Sequence, residues 1–322
     1  MHILITGGAG FIGSHIVEYH LNQHDSVHVL DDLSSGSENN ISQFKSNPNF
    51  QFTKADILTF SQLDKVVCWA DCIYHMAAIV GVLKVIKEPL KVLAVNMGGT
   101  ERVLRAAQKS FWKPRIFIAS TSEVYGTCDL NSSSEKSNLI LGTGKKSCAS
   151  YVISKLSAEL LGETYFQQYG LPVTVLRLFN TIGPRQTGAY GMVVPRFIEN
   201  AVKNNPIVVY GTGNQTRSFC DVRDMVSKLC GMLDNNRTIG ELINIGHDQE
   251  ISINDLAKLI KNIAKSHSDI QHIPYEEAYG RGFEDFMSRR PDLTKLHQLT
   301  CDGYQWDLKS TLTDLISTIN LT

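Results

Sequence analysis

The chain has 322 residues, 43% of them hydrophobic and 20% charged, with a formal net charge of −1. That balance gives no electrostatic reason for nucleic acid or an anionic membrane to be the main partner, and no apolar run reaches the roughly 18 residues a membrane helix needs. The seven cysteines (68, 72, 128, 148, 220, 230 and 301) are scattered, odd in number and without a C-x-x-C pair. They read as free thiols of a cytoplasmic protein, and the ten dispersed histidines show no metal-ligand spacing, so no metal is expected.

Apolar runs at His2–Thr6 and Ser26–Asp31 read as buried strands, and Phe11–Asn22 between them has helical spacing at Ile12, Ile16, Val17 and Leu21. Further strands are predicted at Phe50–Lys54, Cys72–His75, Arg115–Ala119 and Val173–Leu178. The helices between them fall at Ser61–Val67, Pro89–Phe111 and Ser150–Gln168. Pro89 stands at a helix start, where its missing N–H costs least. Strand–helix alternation implies an α/β fold with a doubly wound parallel sheet covered on both faces. After Asn180 the rhythm changes. Helices are predicted at Val194–Lys203, Val222–Leu233, Ile253–His267 and Thr311–Ile319, with short strands at Ile207–Tyr210, Arg217–Asp221 and Glu241–Ile245. The expected organisation is a dinucleotide-binding domain over 1–180 and a smaller α+β domain over 181–322, parts of 219–246 packing back onto the first. The polar stretch Asp129–Ser147 is expected to be a loop.

The first turn carries the first chemical signal. Gly7, Gly10 and Gly13 follow a strand and open a helix, so the backbone there approaches a pyrophosphate closely and offers it N–H groups. Asp31 ends the next strand about 18 residues after the last glycine, where a carboxylate accepts hydrogen bonds from an adenosine ribose. Its neighbours Asp32 and Leu33 include no arginine to pair a 2′-phosphate, which favours NAD over NADP. The second signal is Tyr151 and Lys155, one turn apart on one helix face. A phenol of pKa near 10 becomes a base only beside positive charge, and an ammonium with a cationic nicotinamide supplies it. Thr121 in Ser120–Gly126 directly follows a strand, at the end that faces the ligand crevice of an open α/β sheet, and there it can hold a reacting hydroxyl.

Taken in order, GGAGFIG (Gly7–Gly13), STSEVYG (Ser120–Gly126), Tyr151-x-x-x-Lys155 and RLFNTIGPRQ (Arg177–Gln186) resemble the extended short-chain dehydrogenase/reductase family, in its nucleotide-sugar epimerase, dehydratase and decarboxylase branch. The resemblance spans nearly the whole chain. It implies a seven-stranded Rossmann domain with tightly bound NAD and a C-terminal domain for a nucleoside-diphosphate sugar, a UDP-sugar being favoured. It also implies Tyr151 as base, Lys155 on the nicotinamide ribose, and Thr121 completing the triad. Gly7, Gly10, Phe11, Ile12, Gly13, Asp31, Asp32, Asp56, Ile57, Ala77, Ala78 and Asn96 are the implied cofactor contacts. Ser122, Asn180, Val194, Tyr210, Arg217 and Arg289 are the implied substrate contacts. A homodimer is expected through Pro89–Phe111 and Ser150–Gln168, with Leu93, Leu104, Leu156 and Leu160 as candidate contacts.

Family members oxidise the sugar at C4 and then diverge. The 4,6-dehydratases usually carry Asp-Glu where this chain has Ser122-Glu123, so a dehydratase is disfavoured. Thr-Ser-Glu and Arg289 resemble the uronic acid decarboxylases, although Arg289 has counterparts in epimerases too. Ala78–Pro89 departs from the decarboxylase form of that segment, whereas Val80 stands where one epimerase group has lysine. On breadth of pattern the expected activity is a UDP-hexose 4-epimerase of the UDP-glucose/UDP-galactose type, with UDP-glucuronate decarboxylase as the alternative and Glu123 as an additional catalytic candidate. A third reading, a catalytically silent NAD-binding regulator on the same fold, is opposed by the intact Thr121, Tyr151 and Lys155.

Overall fold

The structure is a computed structural model that describes residues 1–126, 133–140, 149–188, 191–279, 287–300 and 303–319. Its first part alternates β1 (His2–Thr6), α1 (Phe11–Asn22), β2 (Ser26–Asp31), β3 (Phe50–Lys54), α2 (Leu63–Trp69), β4 (Cys72–His75), α3 (Val82–Lys87), α4 (Pro89–Lys109), β5 (Arg115–Thr121), α5 (Ala149–Tyr169) and β6 (Val173–Leu178). After β6 come β7 (Thr181–Ile182), α6 (Val193–Val202), β8 (Ile207–Tyr210), β9 (Thr216–Ser218), β10 (Cys220–Asp221), α7 (Val222–Gly231) and β11 (Leu242–Ile245). The chain continues through β12 (Glu250–Ser252), α8 (Ile253–Ile263), β13 (Ile270–Ile273), α9 (Tyr275–Tyr279), α10 (Thr294–Leu299) and α11 (Leu308–Ile319).

Seven parallel strands form the central sheet in the order β11-β6-β5-β4-β1-β2-β3, a Rossmann α/β fold. Parallel strands must be buried on both faces, and the sequence obeys this: every residue of β4 and β5 is buried. Alternate side chains then feed two cores. One face packs Ile3, Ile5 and Phe117 against Ile16 and Val17 of α1 and Met225, Val226 and Leu229 of α7. The other packs Leu4, Ile73, Ile116 and Ile118 against Val103 and Leu104 of α4 and Ala158 of α5. Hence α7 and β11, within 219–246, lie with the central sheet. A separate cluster joins Phe197 of α6, Leu256 and Ile260 of α8, and Leu312 and Ile316 of α11.

The sequence and the structure differ where local signals are weak. β5 runs two residues past Ala119 to include Ser120 and Thr121, because β6 continues to pair with them. The predicted strand Arg217–Asp221 is two strands: β9 pairs with β12 and β10 with β7, so the chain changes partner at Phe219. α3 forms in the segment read as a connection, after Gly81 turns the chain at φ 96°. α8 stops at Ile263, short of His267, as Lys265 takes a φ of 50°. Leu104, a candidate dimer contact, is fully buried under its own sheet. Within the expected Asp129–Ser147 loop, Ser133 and Ile140 make isolated bridges to Pro291 and Gly126, and residues 129–132 and 141–147 lie outside the described residues. Cys68 is exposed and Cys72, Cys220 and Cys230 are buried, all as free thiols; Cys128, Cys148 and Cys301 lie outside the described residues.

Phe117 is fully buried at the middle of β5 and stacks on Tyr74 with ring centroids 5.1 Å apart. Truncating Phe117→Ala is expected to remove about 3–5 kcal/mol of stability, read as a lower midpoint in denaturant unfolding.

Candidate active site

Because all seven strands of the central sheet run the same way, their carboxyl ends share one edge, and a cleft of about 840 Å³ opens there. Its floor at the N-terminal end is the β1–α1 turn. Gly7 sits at φ 73°, and a Cβ there would meet the Ala77 backbone nitrogen at 2.7 Å. A Cβ on Gly13 would lie 2.2 Å from the Gly7 carbonyl oxygen, so only glycine lets the helix close onto the turn. Gly10, the N-cap of α1, caps no N–H with a side chain, and it lines the cleft with Phe11 and Ile12. A glycine cradle under an uncapped helix N-terminus is the backbone form that takes a pyrophosphate.

Asp31 lines the same cleft. Its Oδ2 accepts from the Ala9 N–H at 3.0 Å and its Oδ1 from the Leu33 N–H at 2.8 Å. Burial raises its pKa, against the pull of those two N–H groups. Asp32, Asp56, Ile57, Ala77 and Ala78 also line the cleft. Asn96 does not. It is buried, and its amide is spent on the backbone N–H and carbonyl of Ile79 and on the Ser154 hydroxyl. Its place is behind the wall, fixing the Ile79 segment that forms it, which corrects the expected direct contact. These residues fit a dinucleotide.

Further along the edge stand Thr121, Ser122, Glu123, Tyr151 and Lys155. β5 delivers Thr121, the following single turn Ser122–Tyr125 delivers Glu123, and α5 delivers the other two. Burial drives the Tyr151 phenol well above its ordinary pKa and Glu123 adds to the rise; hydrogen bonding with Thr121 and the Arg289 charge pull it down. Lys155 donates from Nζ to the Ala119 carbonyl at 2.7 Å. Burial lowers its pKa to about 8, against the opposing influence of Glu159. His75, bonded to Thr6 and Thr100, is pushed down to about 3 by burial and by Lys155, and is neutral.

The wall beyond is built from later segments: Asn180, Val194, Tyr210, Arg217 and Arg289 all line the cleft. Arg289 Nη1 lies 3.5 Å from Glu123 Oε1, joining the last part of the chain to the turn after β5. The Arg196 guanidinium lies 3.9 Å from the centre of the Tyr210 ring and covers one of its faces. Sequence reading passed over Arg196, Gln215 and Tyr275, which also line this wall. Gln215 Nε2 donates to the Tyr275 hydroxyl at 2.8 Å. Neither Arg196 nor Tyr275 carried a signal in the sequence. The turn after β7 is tied to α1, where Arg185 pairs with Glu18 and the Pro184 carbonyl accepts from His15 Nε2 at 3.0 Å. Among the described residues no His, Cys, Asp and Glu cluster is placed to hold a metal, and no helix is long and apolar enough to cross a membrane.

A Rossmann sheet, a glycine cradle with an acidic residue ending β2, and a Thr–Tyr–Lys group at the same edge define a dinucleotide-dependent enzyme. Residues 3–246 match the NAD dependent epimerase/dehydratase family. A UDP-N-acetyl-alpha-D-glucosaminuronate decarboxylase of Bacillus cytotoxicus is 38% identical over 92% of this chain and 90% of its own. UDP-glucuronic acid decarboxylase 1 of Danio rerio is 34% identical over 91% of this chain, which spans 66% of that protein. The solved UDP-glucuronic acid 4-epimerase of Bacillus cereus, in complex with UDP-glucuronic acid and NAD, superposes with a TM-score of 0.88 at 28% identity, covering 99% of this chain and 100% of that one. The chain belongs to the NAD-dependent epimerase/dehydratase family of nucleotide-sugar enzymes, and its cofactor is NAD.

Two outcomes follow. Gly13→Ala is expected to purify with little or no NAD, measured by absorbance of the cofactor released on denaturation. With Lys155 needed as an ammonium, activity falls as pH rises through the Lys155 pKa, near 8 before cofactor charge is added; a pH–rate profile with a falling alkaline limb, absent in Lys155→Met, checks it.

Proposed function

We propose that this chain is a UDP-hexuronate decarboxylase that uses bound NAD, and that the site residues act in the roles below. The observation that carries the reading is the Arg289–Glu123 pair beside Tyr151, with the arginine on the cleft wall. Neither a neutral hexose nor its 4-keto form needs a guanidinium at that place; a substrate carboxylate does. The decarboxylases among the similar proteins support the same choice, against the sequence pattern's lean to a UDP-glucose-type epimerase.

Bound NAD supplies the acceptor, and later the donor, of a hydride at sugar C4. Tyr151 takes the C4 hydroxyl proton while Lys155 holds its charge down and Thr121 orients the hydroxyl. Oxidation leaves the C6 carboxylate β to a ketone. The C5–C6 bond breaks, its electron pair passes to the C4 oxygen, and CO2 leaves. Arg289 holds the carboxylate before that step; Glu123, displaced from the arginine by the substrate, takes a proton from solvent, gives it to C5 and then pairs with the arginine again, while Tyr151 returns its proton to the C4 oxygen as the hydride comes back. Gly7, Gly10, Phe11, Ile12, Gly13, Asp31, Asp32, Asp56, Ile57, Ala77 and Ala78 hold the cofactor. Ser122, Asn180, Val194, Tyr210 and Arg217 hold the UDP-sugar, and Arg217 serves the diphosphate. The division at residue 180, cofactor before and sugar after, belongs to this reading. So does a homodimer through α4 and α5, where Leu90, Ile153 and Leu160 are exposed at 81%, 43% and 57%.

A second reading, a 4-epimerase, is favoured by the closeness in fold of the Bacillus cereus enzyme. Incubating the holoenzyme with UDP-glucuronate, UDP-N-acetylglucosaminuronate and UDP-glucose separates the readings. CO2 release with a UDP-pentose product is expected from one of the acids; an isomer of unchanged mass overturns the decarboxylase in favour of the epimerase, and no turnover of any of them favours the silent regulator. Arg289→Met is expected to weaken binding of the acidic substrate about 10- to 100-fold in calorimetry while UDP alone binds as before. Leu160→Glu is expected to convert dimer to monomer in light scattering.

A further inference from the structure

Glu159 lies on α5 one turn beyond Lys155 and is 7% exposed. A carboxylate at that depth persists only with its charge matched and its lone pairs filled. Arg177 of β6 supplies most of this, with Nε 2.9 Å from Oε1 and Nη2 2.7 Å from Oε2, a bidentate grip. The third partner is the Ser120 hydroxyl, which donates to Oε1. Ser120 directly precedes Thr121, and the residue before it, Ala119, takes the Lys155 bond. Successive turns of α5 therefore engage successive residues at the end of β5: Tyr151 faces Thr121, Lys155 binds Ala119 and Glu159 binds Ser120. Arg177 in turn lies 4.5 Å from the Tyr125 ring centre, and the Tyr125 hydroxyl donates to Asn244 Oδ1 at 2.7 Å. The anchor of Glu159 thus extends across β6 to β11.

We infer that Glu159 is a positioning residue for the redox step: through Ser120 and Arg177 it sets the register of α5 on β5, and with it the approach of Tyr151 and Lys155 to Thr121. It does not line the cleft. It has a second, electrostatic consequence. The charged or titratable groups around Lys155 are Tyr151 and Glu159 on its own helix, His75 on β4, and Arg177 on β6, whose charge Glu159 pairs. His75 is neutral, so Glu159 is the group that keeps the Lys155 ammonium favourable against its burial. This inference needs the Tyr151–Lys155 chemistry common to the family and holds whichever UDP-sugar is the substrate, so failure of the decarboxylase reading leaves it standing.

The test is Glu159→Gln in the holoenzyme, assayed with the UDP-sugar that the wild type turns over. Expected are a fall in kcat per bound NAD of about 100-fold from lost alignment, a KM within about twofold of wild type, and an alkaline limb moved down by about one pH unit. A lower melting temperature with wild-type kcat per bound NAD and an unmoved limb would make Glu159 a folding residue only, and overturns the inference. If Glu159→Gln does not accumulate folded, Ser120→Ala keeps the Glu159–Arg177 pair and removes the grip on β5. It is expected to lose about 10-fold in kcat per bound NAD with the limb in place; wild-type kcat in that variant overturns the register argument.

Discussion

The Lys155 ammonium and the Ala119 carbonyl, 2.7 Å apart, join the middle of α5 to the end of a strand that is buried along its whole length. Everything reactive in the cleft is referred to that contact. β5 lies inside the sheet between β4 and β6, so its carboxyl end cannot shift without disturbing two registers. A helix pinned to such a strand inherits its rigidity, and Tyr151 and Thr121 meet as parts of one body. The cost is an ammonium kept out of water, visible in its lowered pKa, and the nearby carboxylate of Glu159 offsets it in part.

Charge on the cleft wall built from later segments is arranged differently. Arg289 comes from far along the chain to meet Glu123, which the turn after β5 presents. The pair does two jobs at once. It balances an arginine that is only 16% exposed, and it sets a paired cation on the cleft wall close enough to Tyr151 to affect its phenol. The Ala78–Pro89 segment also lines the cleft, through Ala78, Val80, Gly81, Val82 and Val85. That segment proves to be largely a short helix, α3, so its residues read as an unusual loop only because the helix is too short to declare a period.

The fold was legible wherever burial on two faces wrote long apolar runs. β1, β2, β4 and β6 match their predicted bounds, because parallel strands inside a sheet admit few polar residues, and the edge strand β3 matches through its alternating Phe50 and Phe52. Short edge pairings were not legible: β12 and β13 carry no pattern a single sequence distinguishes from a loop, and they exist because β9 and β8 present partners to them. In the site, residues bound to a motif were found from the motif. Asn96 was placed in the right neighbourhood with the wrong contact, since spacing reports where a side chain starts and not which backbone groups it satisfies. Arg196 and Tyr275 escaped because their relevance arises only when α6, β8 and α9 fold against each other. Glu159 escaped for the same reason: a glutamate in a helix looks solvent-bound until β6 brings Arg177 beneath it.

The ties from Arg185 and Pro184 to Glu18 and His15 fasten the turn after β7 onto the very helix that opens from the glycine cradle. The two halves are therefore not interchangeable modules. A chimera that grafts the later half of a relative onto this Rossmann half inherits a loop without its mates unless α1 travels with it. Exchange of segments within such a fold has to respect a seam that runs through α1 and the glycine cradle.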